Sequence, residues 1–193
     1  MLRLSVPAHD SATVTTFVNF DVHSWGGRWR NARQLSVQAF LCAHNTFSSS
    51  DILSYRSWNG MTDHVRLLVH RVDLENRNLG SDFEIRTFAF EGYTIGRAEV
   101  FKRGPSVTGS GIIPIVDVYY DRSDYVLARM WIHPILTGDL LTYTIIHEFG
   151  HGLGLAHPRS RNRAVMHQAD HPDFSYWVEP HDRHNLLRKY FLG

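Results

Sequence analysis

Cysteine is all but missing from this chain: Cys42 is the only one in 193 residues, so no disulfide can form within it. That lack leaves the compartment open, because secreted bacterial and viral proteins also do without disulfides. No run approaches the roughly 18 apolar residues of a membrane-spanning helix, and no membrane contact is expected. The first residues, MLRLSVPAHDSATV, carry neither a sustained apolar stretch nor a small-residue cleavage pattern, so no signal peptide is visible. Charge of one sign is not in excess either: 20 Lys and Arg against 19 Asp and Glu leave +1. Bulk electrostatics therefore gives no case for nucleic acid. Internal repeats, low-complexity tracts and interdomain linkers are absent, so residues 1–193 read as one domain, expected as a monomer, with enough length for a real core.

Histidine, by contrast, is plentiful at 13. Three of these fall in the stretch TYTIIHEFGHGLGLAHP as His147, His151 and His157, in the pattern H-E-x-x-H-x-x-G-x-x-H. Residues four apart on a helix share a face, so His147 and His151 project in parallel and can hold one metal ion. A helix that simply continued would carry His157 to the wrong height. Gly154 is the remedy, since glycine tolerates positive φ and lets the chain end its helix and turn back. Three neutral imidazoles leave the fourth position of a tetrahedral Zn²⁺ open, which is the arrangement of a catalytic site. Bound zinc lowers the pKa of a water there to about 7. Glu148 is placed to take its proton as general base and hand it to a leaving amine. Five fixed residues at fixed spacing make a far more specific signal than a bare H-E-x-x-H.

The same residues, His147, Glu148, His151, Gly154 and His157, followed by Ala164-Val165-Met166, resemble the elongated motif and methionine turn of the metzincin metallopeptidases. Residues 146–166 look most like the matrix metalloproteinase (matrixin) group, and 182–193 resemble the closing helix of that catalytic domain, with Asp182 at an acidic position that ties the helix to the lower part of the domain. The resemblance implies a metzincin-like α+β fold: a twisted, mostly parallel five-stranded sheet with about three helices, a cleft beneath, and a methionine turn at Met166 under the metal. It implies one catalytic Zn²⁺, a zinc-dependent endopeptidase acting on protein or peptide substrates, and a secreted location. It also places an edge strand beside the cleft that pairs with extended substrate, here residues 95–101, with an interior strand or hairpin arm the equal alternative. Two departures stand out. Pro158 follows the third histidine where matrixins carry a small hydroxyl residue, and Gln168 stands where astacin-like enzymes have a metal-reaching tyrosine. Matrixins commonly bear structural zinc and Ca²⁺ as well. The expected histidine pattern for a second zinc is missing, and Asp117, Asp121 and Asp124 lack the glycine turn and distal glutamate of an EF-hand. They read as solvated or capping carboxylates, with Ca²⁺ the lesser alternative. Many matrixins have a propeptide cysteine that caps the zinc, but Cys42, in AFLCAHN, reads as a buried structural residue.

Elsewhere the pattern predicts strands over 13–20, 64–72, 83–90, 93–101 and 112–120, and helices over 31–45, from Asp139, and over 181–191. Residues 75–81 and 102–111 read as turn and loop. The first helix rests on Leu35, Ala39 and Cys42 at helical spacing. The second turns Ile146, Phe149 and Leu153 to the core and Leu140, Thr144, His147 and His151 to the cleft. Arg159, Arg161 and Arg163 read as a solvated basic loop, and His171, His181 and His184 as capping or surface residues. Tyr176 reads as a cleft wall or core cover. Two rivals stand beside the peptidase. In one, Glu179 replaces His157 as third ligand, as in thermolysin-like proteins. In the other, a non-catalytic zinc-stabilised binding or structural protein uses the same scaffold; loss of the general base would favour it, and Glu148 is present.

Overall fold

The computed structural model describes residues 24–30, 32, 35–40, 58, 67–72, 82–106, 109–159 and 161–191. Among them are eight strands and two helices: β1 (Arg28–Trp29), β2 (Leu35–Phe40), β3 (Leu67–Val72), β4 (Phe83–Thr87), β5 (Gly96–Ser106), β6 (Gly109–Pro114), β7 (Asp124–Tyr125), β8 (Leu127–Ile132), α1 (Gly138–Gly152) and α2 (Pro180–Phe191). The chain is mixed α+β. Six strands form one sheet in the order β3-β2-β4-β8-β5-β6, and β1 pairs with β7 in a second. The pairs among β3, β2, β4 and β8 are parallel, whereas β5 is antiparallel to both β8 and β6.

The expected five-stranded, mostly parallel sheet with about three helices is corrected accordingly. Residues 35–40 form a strand where a helix over 31–45 was expected. Leu35 and Ala39 are four apart, a spacing that satisfies a period of two as well as a helix, and LSVQAF also alternates as a strand does. Residues 102–106 extend β5 instead of looping, and β6 returns beside them as a hairpin. Gly104 serves close packing there: a Cβ would collide with the Ile113 side chain. The strand expected over 112–120 ends at Pro114, and Tyr120 and Asp121 donate their N–H groups back to the Asp117 carbonyl in a turn. The strand expected over 13–20, the turn over 75–81 and Cys42 lie outside the described residues.

Between β4 and β5 runs β8, a strand to which the sequence reading assigns no element. Its inner residues Ala128, Met130 and Ile132 are fully buried, while Arg129 pairs with Glu84 at 2.8 Å on the outer face. Phe83 and Ile85 of β4 continue the inner layer, and α1 packs on it: Phe149 stacks on Phe83 with centroids 5.2 Å apart. Each such buried Phe, Ile or Met contributes on the order of 1.5–3 kcal/mol. Gly152 brings the helix close, since a Cβ there would press on Phe83 and Ala128. Trp58 is fully buried, and its Nε1 donates to the Ile146 carbonyl at 2.7 Å. Among the described residues no helix is long and apolar enough to cross a membrane.

Candidate metal centre

Helix α1 begins after Thr137, in extended conformation, with Asp139 in its first turn where a carboxylate suits the positive helix end. Its other end builds the site. Gly154 takes φ +83°, the Gly154 N–H donates to the His151 carbonyl at 2.7 Å, and the Leu155 N–H donates to the Gly150 carbonyl at 2.9 Å. This is a Schellman closure, and it turns the chain so that His157 comes back over the helix. The carbonyls left over at the helix end find donors in distant parts of the chain. Trp29 Nε1 donates to Gly152 O at 2.8 Å, Tyr190 Oη to Leu153 O at 2.8 Å, and the Trp25 N–H to Gly154 O at 2.8 Å.

The three histidines meet. His147 Nε2 lies 3.1 Å from His151 Nε2 and 3.0 Å from His157 Nε2, and the last two are 3.0 Å apart. Among the described residues this is the one group of three or more His, Cys, Asp or Glu whose donor atoms converge. Carbonyls fix two of the tautomers: His147 Nδ1 donates to Val165 O and His151 Nδ1 to Leu155 O, each at 2.8 Å. In the neutral rings, both Nε2 atoms then carry lone pairs aimed at one point. Burial first, then the neighbouring imidazoles, pushes His151 well below its usual value, and burial first likewise lowers His147, to about 4. His157 is lowered by burial and by His167. Three neutral imidazoles with converging lone pairs repel one another unless a cation lies between them. A tetrahedral zinc with Zn–N bonds of about 2.0–2.1 Å spaces its nitrogens roughly 3.3 Å apart, so the observed triangle fits such an ion after small adjustment.

Glu148 lies in the same cavity, of about 850 Å³, with the three histidines, Thr144 and Gly96 also on its wall. Its Oε2 is buried without a hydrogen-bond partner among the described residues, and burial pushes the carboxyl up to about 8. Met166 is 2% exposed, in a turn whose His167 N–H faces the Ala164 carbonyl, and its Sδ packs where a Cβ at Gly150 would sit. Asp182 holds that turn from α2: its carboxylate accepts the N–H groups of Val165 at 2.8 Å, Met166 at 3.3 Å and Glu179 at 2.9 Å. Burial pushes Asp182 up to about 7, against the pull of those three donors. Tyr143 Oη donates to the His167 carbonyl at 2.6 Å, joining helix to turn on the other side.

The remaining candidates do not join the centre. Glu179 accepts from Ser175 Oγ at 2.7 Å and faces Arg163 at 3.4 Å, so it is engaged away from the histidines. Asp121 pairs with Lys102, which together with Ser123 holds its carboxyl down to about 2, and Asp124 pairs with Arg30 at 2.8 Å. His171 stacks on His167, and His181 is bonded by Asn185 and Asn162. Tyr176 packs edge-on against Tyr143 and Phe174.

Three contributors escape sequence reasoning. Gly96 admits β5 to the helix, Trp25 lies flat on His151, and Lys189 donates from α2 to the carbonyls of Trp25 and Gly27. Two of these contacts join residues more than 120 apart, and no local pattern encodes them. The segment expected at the cleft edge is in part an interior strand. Residues 101–106 of β5 pair with β6, and residues 96–101 pair with β8. On the other side of Gly96 to Glu99 no described strand is hydrogen-bonded. Since His133 N–H donates to Ile95 O and Ile115 N–H to Val100 O, alternation turns the backbone groups of Gly96 and Ala98 toward that open side. No family model matches the chain, and no curated protein matches it in sequence.

Proposed function

We propose that the chain is a zinc-dependent endopeptidase, metzincin-like in its centre, that hydrolyses internal peptide bonds of protein or peptide substrates. The observation that carries this reading is the convergence of the His147, His151 and His157 Nε2 atoms beside an unpartnered, buried Glu148 carboxylate in one cavity. His147, His151 and His157 would hold the ion. When bound, zinc supplies Lewis acidity and a water that is acidic near neutral pH. Beside the positive charge of such an ion, which would offset the burial that raises it, the Glu148 carboxylate would accept the proton of the attacking water and deliver it to the leaving amine. The backbone groups of Gly96 and Ala98, unpaired among the described strands, would bind an extended substrate as an added strand, which holds the main chain whatever its side chains. The positive φ of Gly154 and the Met166 turn against α1 support the kinship to metzincins, while Pro158 departs from the matrixin pattern.

The test is zinc content by elemental analysis, alongside cleavage of a denatured protein with and without a chelator. The expected result is one zinc per chain and chelator-sensitive cleavage. Glu148→Gln should keep the zinc and lose roughly 10²- to 10⁴-fold in turnover. Zinc binding with no cleavage of any extended peptide would overturn the peptidase reading and leave a binding role.

A further inference from the structure

Residues 24–29, SWGGRW, form a strap held at every step. Ser24 bridges Leu155, the Trp25 N–H donates to Gly154 O at 2.8 Å, the Gly26 N–H donates to Val118 O at 2.6 Å, and Arg28–Trp29 pairs in parallel with Asp124–Tyr125. Both glycines answer to close approach: a Cβ at Gly26 would strike the carbonyls of Asp121 and Tyr119, and one at Gly27 the Ser123 carbonyl and the Tyr125 ring. Lys189 reaches from α2 and closes the strap, its Nζ donating to Trp25 O at 2.8 Å and Gly27 O at 2.6 Å.

These anchors hold the strap on either side of Trp25. The Trp25 ring lies parallel to the His151 ring, centroids 5.1 Å apart and planes 5° from parallel, and it forms part of the cavity wall. His151 is thus held twice: by its Nδ1–H on the Leu155 carbonyl and by an indole across its face. Leu155, placed by the glycine closure of α1, is also bridged to Ser24, so the strap borders both restraints.

We propose that Trp25 is a positioning residue for the metal centre: the strap seats its indole on His151, which fixes the aim of Nε2 before the ion arrives and couples strap docking to metal loading. This rests on the reading of the three histidines as a zinc site. An imidazole free to turn loses that freedom on binding, and the stack removes it beforehand, as hydrogen-bonding partners of metal ligands do. Trp25 also shuts water from one face of the ligand.

The experiment is zinc affinity of the full chain, by competition with a chromophoric chelator, for the wild type, Trp25→Phe and Trp25→Ala, with tryptophan emission followed in parallel. Trp25→Ala is expected to weaken zinc roughly 10- to 100-fold, the range for loss of an outer partner of a ligand. Trp25→Phe should stay within a few-fold of wild type, because a flat ring still stacks. Zinc should change the emission of the wild type and change it less in Trp25→Phe, since Trp25 stacks on a ligand ring. A wild type that binds no zinc overturns the metal centre and the inference with it. A wild type that binds zinc, with a folded Trp25→Ala of equal affinity, overturns the positioning role alone. Should Trp25→Ala fail to fold, the emission decides: a zinc response fully retained in Trp25→Phe overturns the proposal.

Discussion

At Gly96 a single missing Cβ sets how closely the cleft strand approaches the histidine-bearing helix. A side chain there would begin 2.6 Å from Thr144 Cγ2 and 2.7 Å from Glu148 Oε1. Both are side-chain atoms and can give way, so the cost falls on the aim of Glu148 and not on the fold. On the proposed function, Gly96→Val should therefore leave zinc binding by the three histidines intact and lower turnover roughly 10²-fold, the penalty for a catalytic group displaced by about 1 Å. Zinc stoichiometry and kcat measured together check this; unchanged kcat with unchanged zinc would show that Glu148 can move without consequence. Gly154 is a different case. It sits at φ +83°, a conformation that side chains rarely adopt, and a Cβ there would also push aside the end of the Lys189 side chain. The two glycines explain unequal legibility at this scale. Gly154 is readable because its place inside the histidine pattern demands a turn, whereas the neighbours of Gly96 arrive from residues about fifty positions away in the sequence.

Between elements, the turn at Met166 and helix α2 form one unit through Asp182. Its carboxylate accepts three backbone N–H groups, and the Val165 carbonyl in the same turn receives the His147 Nδ1–H. Asp182→Ala leaves those buried donors unsatisfied, at about 1–3 kcal/mol for each fully desolvated group. Urea unfolding should show a loss of at least roughly 2 kcal/mol, and zinc affinity should fall because the carbonyl that orients His147 is no longer fixed. Full stability in the variant would mean that water replaces the carboxylate. How far the elements could be read follows from what each pattern encodes. Helix α1, its glycine stop and α2 are local in origin, and the sequence placed them within a residue or two. Strand β2 is ambiguous in sequence because Leu35 and Ala39 satisfy both the helical and the strand period, and the parallel pairing that decides between them involves β3 and β4, over 25 residues away. In β8 the inward residues Ala128 and Met130 are not strand formers by type, and the outward Arg129 is held by Glu84 of another strand, so the alternation shows only once the sheet exists.

Taken whole, the molecule closes the wall of its three-histidine site by clasping the strap at residues 24–29 to α2, a contact spanning 164 positions at Lys189 Nζ to Trp25 O. The buried amine has no described carboxylate against it. It faces two carbonyls and the Tyr125 ring, and burial chiefly, with Arg122 and Arg28 adding, lowers it to about 7 from 10.5. The sign follows from proton counting. Below pH 7 both folded and unfolded chains carry the charge, and the folded state bears the full cost of burying it. Between pH 7 and about 10 the unfolded chain keeps a proton that the folded chain has released, so this group makes stability rise with pH, by at most about 1.4 kcal/mol per pH unit. Above that range Tyr125, Tyr143 and Tyr190, all raised by burial, act in the opposite sense. Urea midpoints of wild type and Lys189→Met at pH 7, 8 and 9 should therefore diverge, the wild type gaining relative to the variant as pH rises. Parallel curves would mean that the two carbonyls keep the amine charged throughout, and the clasp would then be an ammonium bridge insensitive to pH in this range.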